Sequence, residues 1–523
     1  MKKALMAAAA GIALAAGAAN AQTLRMGVGA QITSTDPHFH NISPNNAFAS
    51  MVFDNLIETD DRARTIPGLA ESWRPTGEDV WEFRLRRGVQ FHNGQDFTAE
   101  DVAFTLERIP QVVNSPGSFR TYTQSIVGVE IVDPHTIRFR TNGPAPTLPN
   151  DIAMVPMLDR QTHQGATTED FNAGRATIGT GPYRMTQHRP GERIELQRNE
   201  SYWRGRPAWQ TIDYRMITND AARTAAVLAG DVDFIDQVPT TDIERLRHSP
   251  RVSLSEIDSL RFIYFAMDHM RDGPTPFITD NDGRPLPRNP LKDERVRRAL
   301  SIAIDRAAIV SRVMEGAAAA SVQVMPAGAF GYAPDLAVPP ADVEAAKRLL
   351  AEAGYPNGFR LTVHGPNDRY PNDARISQAV GQMWTRIGVR TQVEVAPYAS
   401  FIARASRQEF SVFLVSWGSS TGEPLAGLRS VAMTYNRERG TGSVNRGRYS
   451  NPEFDQTLLS ASRELNDARR EALLQDATRI LVRDQGIITT HLQKNIWAMR
   501  QGFAHTPRVD ERTRAQDVRT TSQ

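Results

Sequence analysis

The chain has 523 residues, 40% hydrophobic and 23% charged, with 61 Lys and Arg against 59 Asp and Glu. That length exceeds what one hydrophobic core serves, so two or three globular lobes are expected. Lys2 and Lys3 lie in an N-terminal leader; without them the two signs balance, which argues against a nucleic-acid partner, since that needs a basic face. There is no cysteine, so disulfides, thiolate metal ligands and a cysteine nucleophile are all excluded.

Met1-Lys2-Lys3 precedes an Ala-rich apolar run through Ala18 and then Ala19-Asn20-Ala21. This is the n-region, h-region and A-x-A site of a secretory signal, and the run is shorter than the roughly 20 residues a membrane span needs. Residues 1–21 therefore read as a cleaved signal peptide. No Cys follows to carry a lipid, so a free protein of the bacterial periplasm is expected.

Residues 23–28 form a strand, and the loop after it carries Thr33, Thr35, His38, His40 and Asn41. His-x-His without a third ligand nearby does not make a metal site. A short amphipathic helix is expected over 46–55 and strands over 80–86 and 136–140. Thr98 with Asp101 three residues on opens a helix as a capping box. Gly179-Thr180-Gly181-Pro182 lacks the Lys-Ser/Thr pair of a phosphate loop and reads as a structural turn. A helix over 221–229 ends at Gly230, and a strand follows over 231–235.

Residues 271–290 are rich in Pro, Gly, Asp and Asn, a loop or lobe boundary. Helices are expected over 292–303, over 306–315 behind Asp305, and over 343–353 behind Asp342. A strand at 359–364, a helix at 373–387 and a strand at 390–395 follow. This alternation implies an α/β lobe with largely parallel pairing. Helices over 452–462 and 468–482 and a buried strand over 486–492 complete the pattern.

The most informative stretch is Glu409–Pro424. Phe410 and Val412–Val415 form an apolar strand that ends in Ser416, Trp417 and the turn Gly418-Ser419-Ser420-Thr421-Gly422. Ligands of α/β sheets sit at the carboxyl ends of strands, so this is a candidate binding wall. Gly418-x-Ser420-x-Gly422 also spells the nucleophile elbow of a serine hydrolase, with His491 or His505 available as a base. The elbow needs a strand-to-helix turn, and Pro424 and Gly427 follow instead of a clear helical pattern. Binding is the preferred reading, with no catalytic residue.

Segments along nearly the whole chain resemble one family, the large solute-binding proteins of ABC importers, oligopeptide/dipeptide class. They are Gly68–Trp73, Val89–Arg108, Gly179–Trp203, Leu228–Phe234, Asp293–Val313, Asp342–Gly358 and the strand leading to Trp417. The resemblance implies a two-lobed α/β periplasmic binding protein of the large type, class II. Its discontinuous first lobe would be 22–63, 176–267 and 487–523, with an inserted subdomain at 64–175; the second lobe would be 268–486. Strands near Arg261–Met267 and Gly486–Leu492 would form the hinge. The expected function is monomeric capture of a small peptide or peptide-like solute between the lobes and delivery to an ABC permease, without cofactor or metal.

The ligand-contacting residues implied are Thr35, His40, Asn41, Arg261, Phe262, Arg375, Ser416, Trp417, Gly418, Ser419, Ser420 and Glu423. A zwitterionic peptide needs a cation for its carboxylate and an anion for its ammonium. Arg375, in the first turn of a helix, matches the arginine that dipeptide binders set against the carboxylate. The aspartate that they carry three residues after the matching tryptophan is Ser420 here. A serine cannot neutralise an ammonium group. Either Glu423 substitutes or the ligand lacks a free amine, which admits modified peptides, glutathione-like compounds and opines. Nickel chelates and haem are the alternatives within the same fold.

Overall fold

The computed structural model describes residues 23–521, so the signal-peptide segment lies outside the described residues. The chain divides into two compact units, Met1–Ile257 with Asn495–Gln523, and Asp258–Lys494. Two long strands carry the chain across these boundaries, Val252–Met267 outward and Ile488–Arg500 back. Both extend well beyond the short strands that the apolar runs suggest.

In the first unit, Thr23–Val28 lies in a sheet between Thr211–Met216 and Phe234–Ile235, parallel to both. Antiparallel Arg193–Arg198 and Tyr183–Arg189 continue it. A separate antiparallel sheet places Ala70–Pro75, Val80–Leu85, Thr136–Thr141 and Ile126–Asp133 side by side in that order. The helix Ala99–Arg108 begins with the expected capping box: Thr98 accepts from the backbone of Asp101, whose carboxylate accepts from that of Thr98. Two orphan donors are satisfied together, which is why this short helix starts where the sequence says.

The Gly179–Gly181 turn has a packing reason for its glycines. A Cβ on Gly179 would stand 2.0 Å from the Val52 carbonyl oxygen, and one on Gly181 would stand 2.5 Å from the Val52 carbonyl carbon. The close approach lets Gly181 N–H donate to Val52 O at 3.0 Å, while Thr180 Oγ1 donates to buried Asp54 at 2.9 Å. Gly179→Ala is expected to lower stability by about 1–3 kcal/mol, the range for overpacking against a backbone that cannot retreat. A chemical-denaturation midpoint unchanged from wild type would contradict that packing.

The second unit is built on Arg360–Pro366, which pairs in parallel with Arg390–Ala396 and with Val412–Gly418. Val412–Gly418 pairs antiparallel with Arg261–Met267 along its whole length. Pairing is therefore mixed rather than largely parallel, because the strand entering from the first unit runs against its neighbour. The helix Asp373–Arg386 buries Ile376, Val380 and Trp384, spaced four apart on one face. Trp384 Nε1 donates to Leu300 O at 2.8 Å, so the indole packs in the core without an orphan donor. Helix Tyr398–Ser406, between the strands at 390–396 and 412–418, has no counterpart in the sequence reading. The segment expected as a helix over 306–315 is one α turn, Arg306–Ala308, followed by a π-helix, Ile309–Val313.

Candidate functional site

The strand Val412–Gly418 continues through Ser416, Trp417 and Gly418, so these three residues are part of the ladder and not of the turn. Opposite them stand Ile263, Phe262 and Arg261. Arg261 Nη1 donates to Ser416 Oγ at 3.2 Å. A Cβ on Gly418 would stand 2.8 Å from the Arg261 guanidinium, so the glycine leaves the space in which that side chain lies. Phe262 is buried, its ring 5.3 Å from that of Tyr264. Trp417 is half-buried, and Gly427 lets its indole close onto the next helix, where a Cβ would stand 3.0 Å from Nε1. Ser419 is held by its backbone N–H to Leu260 O and by its hydroxyl to Glu423 O, both at 3.1 Å. Ser420 is exposed.

Glu423 does not take the place of the missing aspartate. It is 2% exposed and ion-paired with Arg470, itself buried and lying over the Phe330 ring. Burial pushes the Glu423 carboxyl up, and the Arg470 charge beside it pulls back. Its charge is already matched by a buried cation, which weakens its pull on a ligand ammonium.

A short helix, Leu425–Val431, does follow the Gly418–Gly422 motif, contrary to the expectation from Pro424 and Gly427. The elbow geometry is nevertheless different. The left-handed residue of the turn is Gly422 (φ 78°), not Ser420. His491 is buried inside the strand Ile488–Arg500, with Nδ1 2.9 Å from Thr490 Oγ1, and burial pushes its pKa down to about 3. His505 belongs to the other unit and bonds Ser255 Oγ at 3.1 Å.

Arg375, expected as a ligand contact, lies in the first turn of helix Asp373–Arg386, exposed, and pairs with Glu315 at 3.3 Å. The loop before it was not singled out from sequence, yet it is the more organised feature. Asp373 accepts from the backbone N–H groups of Arg369 and Tyr370 at 3.0 and 3.1 Å. Tyr370 OH accepts from Ser416 N at 3.3 Å, tying this loop to the end of the central strand. The Arg369 guanidinium covers both the Tyr370 ring and the Tyr398 ring, at 5.6 and 5.4 Å from their centroids. The only sequence signal for this group was Asp368-Arg369-Tyr370 just ahead of the helix start.

In the first unit the 33–41 loop is held mainly by its own fold. Thr35, expected as a ligand contact, is 1% exposed, and its hydroxyl donates to Phe171 O at 2.7 Å. Asp36 and His38 are buried against Arg108, and burial is the main reason the His38 pKa falls to about 3. His40 and Asn41 are half-buried; His40 Nδ1 lies 2.9 Å from Thr33 Oγ1, and Asn41 Nδ2 donates to Tyr122 OH at 2.8 Å. Nearby, an open groove of about 930 Å³ runs between the 99–114 and 160–172 segments, lined in part by Phe39, Phe104, Arg108 and Arg160. Among the described residues no three His, Asp or Glu side chains converge as a metal site.

The sequence profile of the bacterial extracellular solute-binding proteins, family 5 (middle region), matches residues 64–438. The chain is 28% identical over 472 residues to the heme-binding protein A of Haemophilus influenzae, covering 84% of this chain and 81% of that one. It is 25% identical over 464 residues to the dipeptide-binding protein of Escherichia coli K12, covering 83% and 82%. Its fold matches the structure of HbpA2 from Haemophilus parasuis with a TM-score of 0.82 at 24% identity, over 95% of this chain and 100% of that one.

Proposed function

Because the chain belongs to the bacterial extracellular solute-binding proteins of family 5, we propose that it is a monomeric periplasmic receptor for a small peptide or peptide-like solute. It delivers that solute to an ABC-type permease in the inner membrane, without being anchored by a lipid. The observation that carries the peptide reading is the second unit's strand end, where arginines and aromatic side chains gather around Ser416–Ser420. Guanidinium groups match the carboxylate of a peptide and aromatic faces match its apolar surface. The exposed Ser420 and the occupied Glu423 disfavour a free ammonium at that place. The E. coli relative named for dipeptide binding supports the class.

Native mass spectrometry of the protein as isolated tests this directly, since the mass of a retained solute names its chemistry. A peptide-like ligand at a hundredfold excess over its Kd is expected to add about 2.7 kcal/mol of stability. If dipeptides, N-acylated dipeptides and opines all leave the melting temperature unchanged, the peptide class is wrong.

A second reading, haem capture, is favoured by the Haemophilus relative. A Soret shift on titration with hemin, at one equivalent per chain, would select it over peptides. Covalent labelling of Ser420 by a fluorophosphonate would instead overturn the receptor reading in favour of a hydrolase.

A further inference from the structure

We propose that Arg369, its guanidinium 5.6 and 5.4 Å from the Tyr370 and Tyr398 ring centroids, is an anion-recognition platform that selects solutes carrying a second carboxylate, in addition to the one that Arg375 would meet. The inference deepens the peptide-receptor reading and rests on it.

The platform is built rather than accidental. The Tyr370 and Tyr398 rings lie 6.2 Å apart at 73°, edge to face. Tyr370 is fixed by its hydroxyl on Ser416 N, and its backbone by Asp373. Tyr398 is fixed at the start of its helix, where its N–H donates to Asp368 Oδ1 at 2.7 Å. That bond turns one oxygen of Asp368, the acid next to Arg369 in sequence, toward the Tyr398 backbone. With both rings held, the guanidinium beside them is placed by cation–π contact, an interaction that does not consume the N–H groups with which it meets a carboxylate in fork geometry.

Arg369 is exposed, and among the described residues its guanidinium makes no ion pair. Its neighbours differ: Arg375 pairs with Glu315, and Arg470 with Glu423. Arg446, a second cation without an acid partner among the described residues, bonds Ser406 Oγ at 3.0 Å where the Tyr398 helix ends. With Ser420 where relatives carry an acid, the strand end holds cations in excess.

Covering such a cation with an uncharged solute would desolvate it without compensation, whereas a carboxylate restores the balance. The platform therefore discriminates by penalising neutral side chains as well as by attracting acidic ones.

An equimolar mixture of Ala-Asp, Ala-Glu, Ala-Asn and Ala-Gln with their N-acetyl forms is the probe, and bound species are read by native mass spectrometry. Wild type is expected to retain the Asp and Glu members about tenfold over the Asn and Gln members, the effect of one charge-assisted contact. Arg369→Gln should still capture peptides, but with that preference reduced to within about twofold. Tyr398→Leu, which removes half of the stack, should lower the preference without abolishing capture. Equal retention of acidic and neutral members by wild type, or an unchanged preference in Arg369→Gln, overturns the platform and leaves the receptor reading standing. No retention of any peptide by wild type overturns the receptor reading, and the platform with it.

Discussion

Glu423→Leu is expected to cost the second unit about 3–5 kcal/mol, because it strands the Arg470 charge in a place with little water. The two side chains are 3% and 5% exposed, and among the described residues Arg470 has only the exposed Asp467, at 2.7 Å, as a further acid partner. Glu423 Oε1 and Arg470 Nε find no hydrogen-bond partner, so the pair itself is imperfectly satisfied. The double replacement Glu423→Leu with Arg470→Met is therefore expected to be much milder than either single change, since an apolar pair of similar volume needs no compensation. Calorimetry of the two singles and the double completes the cycle. The chain forms two units, so the transition that moves must be the one belonging to residues 258–494. Additive losses in the double variant would contradict a direct buried pair. Loss of acidic-solute preference in Glu423→Leu at full stability would return Glu423 to the ligand site.

Acidification should destabilise both units. Burial pushes His38 and His491 down to about 3 and His364 and His505 to about 4. All four are less than 10% exposed. An unfolded histidine titrates near 6.5, so below that pH the unfolded chain binds more protons than the folded one. The contribution of each is complete above pH 6.5 and falls as pH drops toward the folded value, by about 1.4 kcal/mol per pH unit per histidine. Asp54 works the other way. Its burial, and then the Glu58 charge, raise it to about 6, so its contribution grows as pH falls through 6 and is lost as pH rises. Burial raises Asp101, Asp236 and Glu423 too, but it also lowers His92, His163 and His269, so seven histidines oppose four carboxyls. Melting temperatures are expected to fall steadily from pH 7 to 4.5, and His491→Gln should flatten the slope for the second unit. A melting temperature that holds constant across that range would mean these rings are not kept neutral by the fold.

Local signals were legible. The Thr98–Asp101 capping box, the Asp342 cap, and the Gly230 helix stop at φ 85° stand where the sequence puts them. Each depends on side chains and backbone within one turn, so four or five residues suffice to specify it. The helix Tyr398–Ser406, nine residues between two strands with Pro397 just ahead of it, was not read from the sequence. The antiparallel pairing of Val412–Gly418 was not either, since its partner lies about 150 residues upstream.

At the site the same division holds. The sequence singled out Trp417 at a strand end and Arg375 at a helix start by local position, and the resemblance to dipeptide binders marked the serine at 420 where they carry an acid. Only the tertiary structure decided that Glu423 is closed off by Arg470, 47 residues away, that Thr35 is fully used by Phe171 and Asn172, and that Arg369 lies across two tyrosines 28 residues apart in the chain. Charge compensation and burial are properties of what surrounds a side chain, and those surroundings come from distant segments that no local pattern encodes.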